Sequence, residues 1–270
     1  MQALSLLQYD ILKDVPHCFT TRRGGVSKGG QSSLNLSFSR EPSRKNVLEN
    51  YRRVSEALGV AFEGMTHVPQ RHGDHVLVVT EKETGSGITR PYPDGAETYG
   101  YDAMITDVPG TALCTLHADC VPVLLYDPKN NAVGAVHSGW RGTVLKIAAK
   151  TVGKMECVYG TLPSELRAVI GPSIGMDCFE TDDDVYEALR ESFGLFPEGG
   201  DLFYRKGKKY HISVSGFVYR TLLEAGLLAQ NIFYDTRCTF ADEKLFFSHR
   251  RDRGDTGAMA AVISVRSGSV

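Results

Sequence analysis

Two spacings of apolar positions divide this chain. Val47, Tyr51, Val54 and Leu58 recur along one helical face, which predicts a helix over Ser43–Leu58, with Ser43 placed to cap it and Gly59 to end it. Further helices are expected over Thr143–Tyr159, Val214–Glu224 and Asp182–Phe193, where Asp182–Asp184 suit the positive end of the helix dipole. Short apolar runs bounded by turn residues predict strands instead: His75–Thr80, Asp102–Asp107, Thr111–His117, Val121–Asp127 and Ala132–His137. Arg167–Gly171, Tyr210–Ser213, Ile232–Tyr234, Leu245–Ser248 and Met259–Val265 follow the same pattern, and residues 1–20 read as an opening strand and loop.

Only a short turn at Ala118-Asp119 separates Thr111–His117 from the next strand, too little chain for a crossover helix. Antiparallel or mixed pairing is therefore expected, and the elements follow no strict strand–helix alternation. The predicted class is α+β, with mixed β-sheets layered with helices in a single domain spanning residues 1–270. Two segments lack a core pattern. Thr20–Leu36, rich in Gly, Ser and Arg, is expected as a surface loop, with Leu34 and Leu36 anchoring it while Asn35 points elsewhere. Glu81–Gly100 is expected as a loop forming a lid or rim.

Composition narrows the function classes. Hydrophobic residues make up 42% and charged residues 23%, the balance of a soluble globular protein. The net charge of −2 gives no global field that would recruit nucleic acid. No run approaches the ~20 apolar residues a membrane span needs, and the N-terminus lacks a secretory pattern. The six cysteines form no C-x-x-C pair and are expected as reduced thiols in a cytoplasmic protein, one of them a possible ligand.

The candidate chemistry gathers between Asp102 and Thr143, where polar breaks between apolar runs carry the reactive side chains. Zinc takes neutral imidazole and thiolate, and a catalytic site uses three protein ligands and leaves a fourth position open. His72, Cys120 and His137 supply those types, each at an expected strand end or turn, and a thiolate with two imidazoles suits zinc better than magnesium or calcium. His75 and His117 compete as ligands, and both read better as strand histidines with a satisfied hydrogen bond. The turn from Ser138 to Thr143 offers glycines, a helix start and Arg141, which together fit either a phosphate site or a structural turn. Trp140, the single tryptophan, stacks on a base or fills the core. Asp119 either shuttles protons and orients a ligand histidine or forms the turn. A hydrolase pairing Cys120 as nucleophile with His137 as base would leave His72 spare. Signatures for a P-loop, a zinc protease, a serine hydrolase and a zinc nucleobase deaminase are absent, and eight histidines without an H-x-H are too few for a multicopper centre.

The segments TRRGGVS (21–27) with SLNL (33–36), QRHG (70–73), DAMITDVPG (102–110), HADCVPVLLYD (117–127), AVHSGWRGT (135–143), IGPSIG (170–175) with Cys178, and FFSHRRDRGDTG (246–257) resemble the YlmD/YfiH-like family, also called the laccase-domain or polyphenol oxidase family. The resemblance runs from about Phe19 to Val265. It implies an α+β fold and a zinc-dependent purine nucleoside phosphorylase, with adenosine deamination and methylthioadenosine phosphorolysis as associated activities. The family's metal triad carries over onto His72, Cys120 and His137. Two positions depart from the family: Arg71 stands where an aliphatic residue usually precedes the metal histidine, and Ala258 where an arginine often follows the Thr-Gly of the last motif.

The implied substrates are purine nucleosides and phosphate. Phosphate would be held by Arg141, the amides of Gly139–Thr143 and Arg22, Arg23 or Arg250. Asn35, in the SLNL motif, joins these as a substrate-binding candidate. Two rivals remain at this point: a copper-dependent phenol oxidase, and a non-catalytic binding module stabilised by zinc. Oligomeric state is not legible.

Overall fold

The computed structural model describes residues 3–266. In the first half, strands run over Leu6–Leu7 (β1), His17–Thr20 (β2), Met65–Thr66 (β3), Val76–Val78 (β4), Ala103–Thr106 (β5), Ala112–His117 (β6), Val121–Asp127 (β7) and Ala132–Ser138 (β8). The second half adds Arg167–Ile170 (β9), Glu180–Thr181 (β10), Phe203–Lys206 (β11), Lys209–Ile212 (β12), Ile232–Tyr234 (β13) and Met259–Ser264 (β14). The helices are Arg44–Leu58 (α1), Ala96–Tyr99 (α2), Trp140–Val144 (α3), Ile147–Tyr159 (α4), Asp183–Phe193 (α5) and Val214–Glu224 (α6).

Two mixed sheets lie face to face. One has the order β1-β2-β14-β6-β3 and the other β13-β9-β7-β8-β5-β4. Their shared interior holds Phe19, Leu113, Leu124, Val133, Ala135, Ala261 and Ile263. On the outer side of the first sheet, α1 buries Val47, Tyr51 and Val54 against Cys18, Cys114, Ala260 and Val262. On the outer side of the second, α4 and α6 bury Ile147, Val152, Val218 and Leu222 against Val121, Val123 and Leu125. Alternate residues of β7 and β14 thus enter different cores, which is why these strands read as unbroken apolar runs. Each buried Val, Leu or Ile contributes roughly 1.5–3 kcal/mol. A third, three-stranded sheet (β10-β12-β11) packs with α5 as an appendage. The layering is α+β with mixed sheets, as the sequence predicts.

The differences from expectation have local causes. The helix expected over Thr143–Tyr159 starts at Trp140 and breaks at Lys146, whose φ of 57° is left-handed. Trp140 inserts between the core under α4 and the core under α5, and the break lets the chain turn from one to the other. Leu245–Ser248 is not a strand. Its backbone is bonded piecemeal, to Arg22 N, to the Arg251 guanidinium and to the Met259 sulfur, so no ladder forms. Ser43 occupies the N-cap position of α1 without a side-chain cap bond, whereas Gly59 ends the helix at a φ of 66°. Leu34 and Leu36 anchor the segment Thr20–Leu36 as expected, but Asn35 between them is buried as well.

One consequence positions the chemistry. β6 and β7 are consecutive yet belong to different sheets, so Ala118–Cys120 is the corner at which the chain changes layer. Asp119 turns that corner at a φ of 92°.

Candidate metal centre and cleft

Four segments meet at the open end of the two sheets. The loop before β4 carries His72, the β6–β7 corner carries Cys120, the end of β8 carries His137, and the residue before β5 is Asp102. The ligand atoms of His72, Cys120 and His137 lie within 4.8 Å of one another, close enough to hold one metal ion. Their burial is graded: His137 is buried, Cys120 half-buried and His72 exposed. The imidazoles of His72 and His137 meet edge to face, 4.9 Å between ring centres.

Asp102 organises this group. Its Oδ1 accepts from His137 Nδ1 at 2.8 Å and from the His72 amide at 2.9 Å. Its Oδ2 accepts from the amides of Gly73 at 2.7 Å and Arg71 at 3.1 Å. Its own carbonyl accepts from the His137 amide at 2.7 Å. One buried carboxylate therefore fixes a histidine ring and holds the loop of the other histidine, whose φ of 59° is unusual for a residue with a side chain. Nδ1 of His137 is committed to Asp102, which leaves Nε2 for a metal. Gly139 supplies the space. A β-carbon there would sit 2.8 Å from His72 Cδ2 and 3.1 Å from Cys120 Sγ.

The electrostatics favour a thiolate. Burial opposes ionisation of Cys120, but the charges and hydrogen bonds of His137 and His72 overcome it and bring the thiol down to about 6. Burial likewise opposes charge on His137, yet Cys120 and Asp102 push it up to about 9. A half-buried thiolate with two imidazoles is a donor set for a soft or borderline divalent ion. The residues present fit zinc. They fit copper by type as well, but the described residues assemble one such group of three, short of a multicopper centre. His72 adjoins both other residues, so it is not spare, as a cysteine–histidine hydrolase would leave it.

The group opens into a cleft of about 540 Å³. Phe38, Tyr92 and Phe179 give the cleft aromatic faces, Arg40, Arg71 and Arg250 give it cations, and His249 adds an imidazole. Tyr92 comes from the 81–100 segment, which forms part of the rim, as the sequence suggests.

The remaining sequence candidates fall elsewhere or play other parts. Arg141 does not line the cleft; its guanidinium lies 4.2 Å over the ring of Trp140, and Trp140 packs into the core instead of offering a face to a base. Arg22 and Arg23 line a separate cavity of about 670 Å³ and donate to the carbonyls of Ser32, Glu243 and Lys244, tying loops together. Asn35 is fully buried; its amide oxygen accepts from the backbone of Ser37 and Ala258, so it shapes the cleft wall from behind. Asp119 lines the cleft, but the histidine-orienting role belongs to Asp102. The Asp119 carboxylate accepts from Thr239 Oγ1, Ser248 Oγ and the Arg250 amide and so ties the C-terminal segment to the corner. Arg250 does line the cleft, over the ring of Phe179 and bonded to the Glu180 carbonyl at 2.7 Å. His75 is exposed, with Nδ1 3.3 Å from the Gly100 carbonyl. His117 is buried beneath the cleft, and neither ring nitrogen has the partner expected of it. Sequence reasoning missed Asp102 and Arg40, and it read Gly139 as a phosphate-facing amide, whereas the structure sets it against His72 and Cys120.

Fold and site together define a mixed α+β protein in which two histidines and one cysteine, at the end of stacked sheets, could hold a metal ion. The multi-copper polyphenol oxidoreductase laccase family model matches residues 16–266, and the chain belongs to that family. The purine nucleoside phosphorylase YlmD of Geobacillus stearothermophilus is 37% identical over 250 residues, 92% of this chain and 89% of that protein. The adenosine deaminase RL5 of an unknown prokaryotic organism is 32% identical, covering 92% of this chain and 94% of its own. The crystal structure of Bacillus licheniformis YfiH superposes with a TM-score of 0.89 at 34% identity, covering 97% of both chains. No helix among the described residues is long and apolar enough to cross a membrane.

Proposed function

We propose that this chain is a zinc-dependent purine nucleoside phosphorylase, converting adenosine, inosine or guanosine and phosphate to free base and ribose-1-phosphate. Adenosine deamination and cleavage of S-methyl-5′-thioadenosine are proposed as further activities of the same cleft. The observation that carries the reading is the convergence of His72, Cys120 and His137 beneath a cleft with both aromatic and cationic walls. The names of the similar proteins, phosphorylase and deaminase, agree with it.

In phosphorolysis, a phosphate oxygen attacks C1′ while the bond to the base breaks through an oxocarbenium-like state. The protein must hold phosphate against C1′ and stabilise charge on the departing purine. Tyr92 and Phe179 offer faces to the base. The guanidinium groups and His249 on the walls offer donors to phosphate. His72, Cys120 and His137 would hold zinc, which when bound would supply a Lewis-acid centre next to the reacting nucleoside. Asp102 keeps the His137 ring in the tautomer that frees Nε2.

The test incubates zinc-loaded protein with each nucleoside and phosphate and identifies products chromatographically. Release of base and ribose-1-phosphate, lost together with bound metal in Cys120→Ala, supports the reading. No turnover by fully metallated protein at saturating substrate overturns it and leaves the zinc-stabilised binding module. Phenol oxidation by copper-loaded protein, without phosphorolysis, would favour the oxidase instead.

A further inference from the structure

Ala258 lines the cleft without a polar side chain of its own, and the structure places a guanidinium beside it. Arg40, at the end of the 38–40 turn, reaches across to donate from Nη1 to the Gly257 carbonyl at 3.0 Å. Gly257 is the residue before Ala258, and Arg40 and Ala258 both line the cleft. The two come from distant parts of the chain, and Asn35 holds them together: it accepts from the Ser37 and Ala258 amides with one oxygen, at 3.0 and 2.9 Å.

Arg40 differs from the other cleft arginines. Arg71 and Arg250 are exposed, whereas Arg40 is half-buried. Arginine–carboxylate pairs among the described residues involve Arg53, Arg167, Arg190, Arg220, Arg237 and Arg251, and Arg40 is not among them. The acidic groups near enough to act on its charge are Cys120 and Asp119, at the metal corner. A partly desolvated guanidinium that spends one nitrogen on a carbonyl and pairs with no carboxylate retains donors for an oxyanion. The hydroxyls of Ser37 and Ser39, 3.1 Å apart, line the same wall.

We infer that Arg40 is the phosphate-anchoring residue of this cleft. The inference rests on the phosphorylase reading for its substrate but not for its anion site. The bound species is a tetrahedral oxyanion, inorganic phosphate in the reaction. The guanidinium holds it beside the metal corner, with the Ser37 and Ser39 hydroxyls as further donors.

Steady-state kinetics of zinc-loaded protein provide the test. Arg40→Ala is expected to raise KM for phosphate about tenfold or more, the scale of a lost charge-assisted pair, with little change in KM for nucleoside. Arg40→Lys should recover part of the loss, and Arg40→Ala combined with Ala258→Arg should recover more. A merely structural arginine would raise both KM values together, or neither, and either result overturns the inference. If Arg40→Ala fails to fold, Arg40→Lys and Arg40→Gln carry the comparison. Calorimetric titration of inorganic phosphate into zinc-loaded protein without nucleoside separates the two proposals. Weakened phosphate binding in Arg40→Ala, in a protein that cleaves no nucleoside, keeps the anion site and ends the phosphorylase reading. Phosphorolysis with an unchanged phosphate KM in the variant does the reverse.

Discussion

His137 donates Nδ1–H to Asp102 Oδ1 across 2.8 Å, and that carboxylate also accepts the amides of Arg71, His72 and Gly73. All four partners are donors, and the carboxylate is a pure acceptor that satisfies them. Burial works against its charge, but His137 and the loop amides hold it below the usual carboxylate range. Asp102→Asn would turn an NH₂ toward a group that itself donates. We expect metal affinity to fall about 10–100-fold, the usual cost of removing a ligand's orienting partner. Competition with a chelator measures it, and far-UV circular dichroism should show the fold retained. Unchanged affinity would mean that the carboxylate does not set the geometry of the metal position.

Gly139 makes a second, purely steric claim. Its φ of −71° suits any residue, so alanine costs nothing in backbone conformation. An added methyl would meet His72 and Cys120 at 2.8 and 3.1 Å. Gly139→Ala should therefore lower metal content and activity while moving the thermal midpoint little. Metal analysis of the purified variant beside its melting curve checks this, and full metal occupancy would refute it.

These two residues show where the sequence was readable and where it was not. β7 and α6 lie where apolar periodicity places them, because β7 packs on both sides and α6 along one continuous stripe. The grouping of His72, Cys120 and His137 was legible from residue type and from family resemblance. Asp102 was not, since an aspartate just before an apolar strand is also an ordinary turn residue, and only the fold brings it under His137. Asn35 and Arg22 carried polar side chains in a loop with no core pattern, and nothing in the sequence showed that their partners include backbone groups more than two hundred residues away. Arg141 was misplaced for a related reason: its neighbour Trp140 is drawn into the core, and the guanidinium follows the ring.

Buried histidines give the protein an acid limit that does not depend on the metal. Burial, aided by the charge on His137, holds His117 down to about 3. Burial also brings His67 to about 4 against the hydrogen bond its ring donates to the Cys114 carbonyl, and it lowers His17. An unfolded histidine takes up its proton near ~6.5. Above that pH neither state binds these protons, so the three histidines contribute nothing to the pH dependence. Below it the unfolded chain binds protons that the folded chain refuses until about 4 and 3 at His67 and His117. Stability should fall as pH drops from ~6.5, with a slope approaching ~1.4 kcal/mol per pH unit for each such histidine. His137, whose folded value is raised, is protonated in both states at the lower end of this window and adds no slope there. Urea midpoints of chelator-treated protein between pH 7.5 and 5 would measure the effect, those values being roughly one unit above and more than one below the histidine reference. His117→Gln should reduce the slope by about one proton's worth. A variant with the same slope as the parent would show that His117 finds a partner for its proton in the folded protein.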